Sequence, residues 1–384
     1  MKKRWTYKSF GEVGSFLRGK SIQKADFVEN GLPCIHYGQI HTKFGVSVDK
    51  HISEISQEVY DKSVIASPGD VIIAITSEDL EGSCKSTAWL GSYDIAVSAH
   101  AAVYKHNLNP KFIAYYLRSN SFYIEKQKYA RGFKVMEIKP TDIARIPIPV
   151  PSADVQKSIV NELDKIYELI DFKKTQLNDF NSLAESIFYD MFGDPIVNEK
   201  GWAMKKLDEV GEIVSGSTPS TNDIDNWNGD INWVTPAELK GQMYYGETER
   251  KLSPKGAKGL CLMPVGTVLL SSRAPIGKLA ITKIPMCCNQ GFKNIVCNDS
   301  INNIFLYYIL LQTIEQVKAL GRGATFKEVS KSSISSYKVI VPPLTLQQSF
   351  AKHIISIEQK KDQINTSIKD LETLLASRMQ YWFD

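Results

Sequence analysis

Residues 159–191 read IVNELDKIYELIDFKKTQLNDFNSLAESIFYDM, and residues 350–382 read FAKHIISIEQKKDQINTSIKDLETLLASRMQYW. In the first, stations fall at Ile159, Leu163, Ile166, Ile170, Lys173, Leu177, Phe180, Ala184, Ile187 and Met191. In the second they fall at Phe350, Ile354, Ile357, Lys361, Ile364, Ile368, Leu371, Leu375, Arg378 and Trp382. Both alternate spacings of four and three, the pattern of a helix with an apolar seam. Every station of the first has its counterpart 191 residues later. Lys173 and Lys361 interrupt the seams at different heights, and polar seam residues fix register at some cost in stability. About 36 residues at roughly 1.5 Å each make a rod near 54 Å long. A heptad helix needs a partner, and each rod has the other at hand. Two like units around an approximate two-fold axis bury the same stripe on both sides, so the repeat favours antiparallel pairing.

The shared register extends outward. Trp5 and the run from Lys8 to Gly14 match Trp202 and the run from Lys205 to Gly211, offset by 197, as Val71 matches Val268. Arg131-Gly132 then matches Arg322-Gly323, and Glu137 matches Glu328, offset by 191. The first copy therefore carries six extra residues between Gly69 and Arg131. One unit of about 190 residues is written twice, and such a repeat governs the architecture. Each copy runs through short apolar segments broken by Gly and Pro, such as Val71 to Ile75 and Thr267 to Leu270, which read as strands. A helical patch follows (112–128 and 304–320), then a Pro-rich strand and the long helix. The expected fold is α+β: two globular mixed α/β domains, 1–150 and 196–342, separated by two long antiparallel coiled-coil helices, 151–195 and 343–384, in a pseudo-two-fold internal repeat.

The net charge of +4 is unevenly spread. Residues 1–149 hold 20 Lys and Arg against 15 Asp and Glu, and residues 198–341 hold 17 against 13, whereas 150–197 hold 4 against 9. Two basic blocks fit two nucleic-acid contacts, and the acidic first rod would repel phosphate. The longest apolar run, Ile304 to Leu311, is too short to cross a bilayer. No apolar signal run follows the basic start, so a cytoplasmic location with no membrane contact is expected. The six cysteines show no CxxC spacing, which favours reduced thiols over zinc ligation or a disulfide framework. The six histidines lack ligand spacing, and no metal is expected.

A symmetric reader with two heads a fixed distance apart suits a DNA target in two halves. Here the heads have diverged while the rods keep their pattern, which implies two unlike half-sites around an unread gap. The order of globular region, heptad helix, globular region, heptad helix resembles the specificity subunit of a type I restriction–modification system. The motifs that carry the resemblance are the run from Leu207 to Ser220, Trp227-Asn-Gly-Asp-Ile-Asn-Trp-Val-Thr-Pro236, and Ile340-Val-Pro-Pro-Leu-Thr-Leu-Gln-Gln348. The first copy departs from them: Ser152-Ala-Asp-Val-Gln156 is a loose version of the Pro-Leu-x-x-Gln signature, and Leu32-Pro-Cys-Ile35 lacks the usual Trp.

The resemblance implies target-recognition domains that bind double-stranded DNA, helices that set the spacing and dock two methyltransferase subunits, and motor–nuclease subunits where the system has them. It places S-adenosylmethionine and ATP in those partners and no cofactor in this chain. A non-catalytic subunit agrees with the absence of an Asn/Asp-Pro-Pro-Tyr/Phe motif and of GxxxxGK[ST]. Two other readings are a self-sufficient methyltransferase or nuclease with divergent motifs, and a protein-interaction scaffold without DNA specificity.

Candidate DNA contacts are Arg18 and Lys20 after the first strand of one head, with Ser217 in the matching loop of the other. Arg273 follows a strand, and Lys85 holds the roughly equivalent place in the first head. Arg131 and Lys134, with Arg322 and Lys327, flank Gly-containing loops that either cap a helix or bring cations to phosphates and base edges. The expected coiled-coil interface is Ile159, Leu163, Ile166, Ile170, Leu177, Phe180, Ile187, Ile354, Ile357, Ile364, Ile368, Leu371 and Leu375. Trp5, Trp202, Trp227 and Trp233 read as core anchors of the heads.

Overall fold

The computed structural model describes residues 5–384 apart from positions 21, 133 and 322–327. Two compact units emerge: Met1–Lys174 with Thr366–Asp384, and Thr175–Asn365.

In the first unit a five-stranded sheet runs in the order Gly14–Arg18, Ala101–His106, Val71–Ala74, Ser86–Trp89, Ser47–Val48. Val71–Ala74 is buried on both faces, which its unbroken apolar run requires. Its residues alternate between two cores, as strand geometry dictates. Val71 and Ile73 join Tyr104, Phe112, Tyr116, Ile159 and Leu163 on the helical side. Ile72 and Ala74 join Ile35, Trp89 and Val97 on the other. A second sheet closes that side: Phe27–Val28, Ser53–Ile55, Leu32–Ile35, Ile95–Val97, Val64–Ala66.

In the second unit the five-stranded sheet runs Gly211–Val214, Asn294–Cys297, Val268–Leu270, Leu279–Thr282, Tyr244–Tyr245, the same order strand for strand. A three-stranded sheet, Arg250–Leu252, Trp227–Val234, Cys287–Cys288, stands where the first unit has its second sheet. Register locates the six extra residues. Val71 pairs with Ala88 where Val268 pairs with Ile281, and Ala74 pairs with Ala101 where Ser271 pairs with Phe292. Four extra residues therefore precede Ser86, and two lie between Trp89 and Ala101.

Each helical patch is two helices: Pro110–Tyr116 and Asn120–Gln127 in the first unit, Asn303–Gln312 and Ile314–Ala319 in the second. The leading helix of each starts at an asparagine cap. Asn109 accepts from the Lys111 and Phe112 amides, Asn302 from those of Ile304 and Phe305. The cap is itself held from the long helix. The Asn109 amide donates to Gln156 Oε1 and the Asn302 amide to Gln347 Oε1, both at 2.8 Å. The same two glutamines donate to Pro151 O and Pro342 O, at 2.9 and 2.8 Å. Gln156 thus does the work of Gln347 although its surrounding motif is looser.

The long helices are Ala153–Phe192 and Leu344–Phe383, each of 40 residues. Every seam station is buried or half-buried, Lys173 and Lys361 included. They run antiparallel. In the first unit Arg378 and Trp382 meet Glu162, and Phe383 packs on Phe112 and Tyr116. In the second, Phe188 packs on Phe350 at 5.7 Å and Lys360 lies over the Phe180 ring. The buried stripe widens at the end of the first helix, where Phe188 and Phe192 join it. Ala184, Phe188 and Phe192 are the buried residues there, while Ile187 and Met191 are half-buried. A 3.6-residue period drifts off a strict heptad, and against the globular core the stripe follows the helix.

Candidate nucleic-acid interface

Both central sheets end in the same kind of edge. In the first unit the strand Gly14–Arg18 turns at Gly19, whose amide donates to Ala101 O, and Lys20 bridges to Ser98. A Cβ at Gly19 would lie 2.0 Å from Ser98 O. In the second unit a Cβ at Gly216 would lie 1.8 Å from Cys288 O, and the Ser217 amide donates to that same carbonyl. Only glycine lets these turns press so closely on the neighbouring segment.

The segment that leaves the middle strand of each sheet contributes the centre of the edge. Thr76 pairs with Glu137 in the first unit, and Arg273 bridges to Glu328 in the second. Thr76, not Lys85, is therefore the register counterpart of Arg273; Lys85, directly before Ser86, falls on Lys278, directly before Leu279. The Arg18 guanidinium lies 2.9 Å from Glu137 Oε1, and Arg273 Nε lies 2.9 Å from Glu328 Oε2. Lys293 Nζ stands 3.5 Å from Glu328 Oε1 and bonds Ser272 Oγ.

Around this centre Lys20, Arg131, Lys134, Ser217 and Arg273 are exposed. Arg131 exchanges backbone hydrogen bonds with Glu137, and its guanidinium is 3.7 Å from Asp142. Gly132, at φ +110°, makes a tight loop rather than capping a helix; the preceding helix ends at Gln127. Arg322 and Lys327 lie outside the described residues.

Lys85 is half-buried, and its ammonium donates to His41 O, the free carbonyl at the end of the helix Tyr37–Thr42. Burial and the neighbouring Arg118 hold its pKa below the usual lysine range. His36 caps the start of that helix and His41 sits in its last turn. Lys85, His41, His100, Arg118 and Tyr123 line a cleft of about 1260 Å³ in the first unit. Its wall is the lengthened loop bearing Glu78, Asp79 and Glu81, fixed by the buried Lys126 donating to Glu81 O and Ser83 O. The matching loop of the second unit is four residues shorter, lacks these acids and carries Arg273, while Lys278 holds the place of Lys85. The two edges thus share a frame and differ in charge.

The loop 217–220 is tied down from below. Trp233 Nε1 donates to Ser217 O and Trp227 Nε1 to Ser220 O, both at 3.1 Å, while Thr218 Oγ1 donates to Gln290 Oε1 at 2.6 Å. Trp227 and Trp233 are buried, and Arg250 stacks 3.5 Å over the Trp227 ring. They anchor the core, as the sequence suggested, and they also hold the loop. Sequence reasoning did not single out Gln290, Lys293, His100 or Arg118 as edge residues. Glu137 and Glu328 were visible only as markers of the repeat.

Among the described residues, no group of three His, Cys, Asp or Glu side chains is placed to hold a metal ion, and no helix is long and apolar enough to cross a membrane. Burial pushes the Cys34, Cys84 and Cys288 thiols up to about 12, away from nucleophilic thiolates.

Known proteins resemble this chain along nearly its whole length. The family model described as type I restriction modification DNA specificity domain matches twice, over residues 2–181 and 199–373. The MjaIX specificity subunit of Methanocaldococcus jannaschii is 37% identical over 195 residues, 48% of this chain and 44% of that protein. The chain therefore spans less than half the length of that relative. The StySPI specificity subunit of Salmonella potsdam is 27% identical over 410 residues, 98% of this chain and 87% of the relative. The S subunit from M. genitalium shares the fold, with a TM-score of 0.58 at 15% identity, over 99% of this chain and 96% of that one.

Proposed function

We propose that this chain, which belongs to the type I restriction modification DNA specificity family, reads a bipartite double-stranded DNA target, one half with each unit, as the non-catalytic subunit of a methylating complex. The observation that carries this is the pair of reading edges. One backbone frame recurs, with Arg18 and Glu137 at its centre in one unit and Arg273 and Glu328 in the other, and with unlike side chains around each. Shared frames with unlike chemistry suit two unlike half-sites. The sequences predicted antiparallel helices as the spacer, and 40 residues at roughly 1.5 Å each give about 60 Å of helix.

Partner docking falls to the exposed apolar side chains of the long helices. Leu183 in the second unit and Leu374 in the first are counterparts 191 residues apart, and both are exposed. A doubled apolar contact suits two copies of one partner, the methyltransferase subunit, which would bring S-adenosylmethionine; motor–nuclease subunits would bring ATP. The chain's own residues supply binding and orientation.

The test is binding of the purified chain, alone and with its methyltransferase subunit, to a randomised duplex pool. The expected result is enrichment of two short motifs at fixed spacing, with affinity falling steeply with salt. Enrichment of no sequence, or salt-independent binding, would refute it.

A further inference from the structure

A carboxylate holds the same register position in both units. Glu137 pairs with Thr76, and Glu328 bridges to Arg273, the position 197 residues after Thr76. Each carboxylate has a cation on it, Arg18 at 2.9 Å in one unit and Arg273 at 2.9 Å in the other. Those cations do not correspond to one another. The counterpart of Arg18 is Ser215, and the counterpart of Arg273 is Thr76. The acid is the fixed part of the edge, and the cation reaches it by a different route in each unit.

Repulsion of phosphate argues against an acid here, and stability accounts for only part of it, through the charge that Glu328 sets against the buried Lys293 ammonium. A carboxylate at a surface that meets phosphate repels it. Arg18 and Arg273 are about half exposed, with side-chain accessibilities of 52% and 48%, and pairs so open to water contribute little to folding. Geometry explains it better. A guanidinium held along one edge by a carboxylate keeps its remaining N–H donors in a fixed plane, as a base edge requires. The same tether stops the side chain from swinging to any nearby phosphate, which suppresses binding to wrong DNA.

We propose that Glu137 and Glu328 are positioning residues for sequence reading, each holding the exposed cation of its own unit at the DNA edge: Arg18 for Glu137 and Arg273 for Glu328. This rests on the DNA-reading function proposed above. Glu→Gln keeps the shape and removes the charge that orients the cation.

The experiment uses the full-length chain with three duplexes: the motif pair enriched by the wild type, the same duplex scrambled in one half, and an unrelated duplex. Glu137→Gln is expected to lose about tenfold discrimination in one half only, and Glu328→Gln in the other half only. For the unrelated duplex, the slope of log affinity against log salt should steepen by roughly 0.9 for each phosphate contact the freed cation gains. Glu328→Asp, which keeps the charge, should restore part of the discrimination. A purely structural role would move melting temperature and leave the half-specific ratio and the salt slope alone. Unchanged discrimination, or equal loss in both halves from one variant, with the wild type still selecting its motifs, would overturn the positioning role alone. Failure of the wild type to enrich any sequence would overturn the DNA-reading function and this role with it.

Discussion

The indole N–H of Trp382 donates to Glu162 Oε2 across 3.0 Å, beside the guanidinium of Arg378, whose Nη2 lies 3.2 Å from the same oxygen. Two stations of the second seam thus meet one acid on the first long helix, and that contact fixes the antiparallel register in the first unit. Phe188 on Phe350 does so in the second.

Matched deletion follows from that register. Removing 168–174 together with 366–372 takes seven residues from each helix and keeps both anchoring contacts. The expected result is a target whose unread gap is shorter by about three base pairs, from roughly 10.5 Å of helix at 3.4 Å per base pair. Mapping the enriched motifs checks it; an unchanged gap contradicts the helices as spacer.

Replacing Gln156 or Gln347 by Leu strands an asparagine-cap amide and a proline carbonyl. Each buried, unsatisfied group costs about 1–3 kcal/mol. Denaturant midpoints should fall for both single variants, with the larger loss at Gln347, which is fully buried. Equal midpoints would show that water replaces the bonds.

His106 supplies a pH dependence. Burial holds its pKa down to about 4, against the nearby Asp70, which pulls the other way. The unfolded chain takes up its proton near pH 6.5, while the folded one resists until about pH 4. Stability from this group is therefore full above pH 6.5 and is lost progressively as pH falls towards 4, by roughly 3 kcal/mol at most. Thermal melts of His106→Phe should be flatter across that window than wild type. Parallel curves would sink the assignment.

Trp233→Phe keeps the core filled but frees Ser217 O. A hydrogen bond of about 1 kcal/mol corresponds to about fivefold in affinity. That loss should appear for the half-site read by the second unit and not for the other. Loss in both halves would mean the core, not the loop, was disturbed.

Much of this was legible beforehand because it was written twice. The seam stations and the paired offsets follow from periodicity and repetition, which need no knowledge of side-chain contacts. The edge was harder. Arg18 and Glu137 are 119 residues apart, and their meeting depends on a strand pairing that no local pattern announces. Lys85 was given the place roughly equivalent to Arg273, and only the strand register shows that Thr76 holds that place and that Lys85 matches Lys278. Ile187 and Met191 pack against the core as the heptad count has them, but that count did not announce Phe188 and Phe192, which are buried more deeply beside them. The loop-holding role of the two tryptophans depends on which way an indole N–H points, which composition cannot say.

The most direct measurement is an exchange of residues 1–150 for the first globular region of another member of the family, followed by sequencing of methylated bases in cells that also make the methyltransferase subunit. Two independent readers predict that one half of the methylated motif changes while the other half and the gap stay as they were. A motif altered in both halves, or in neither, would contradict the account.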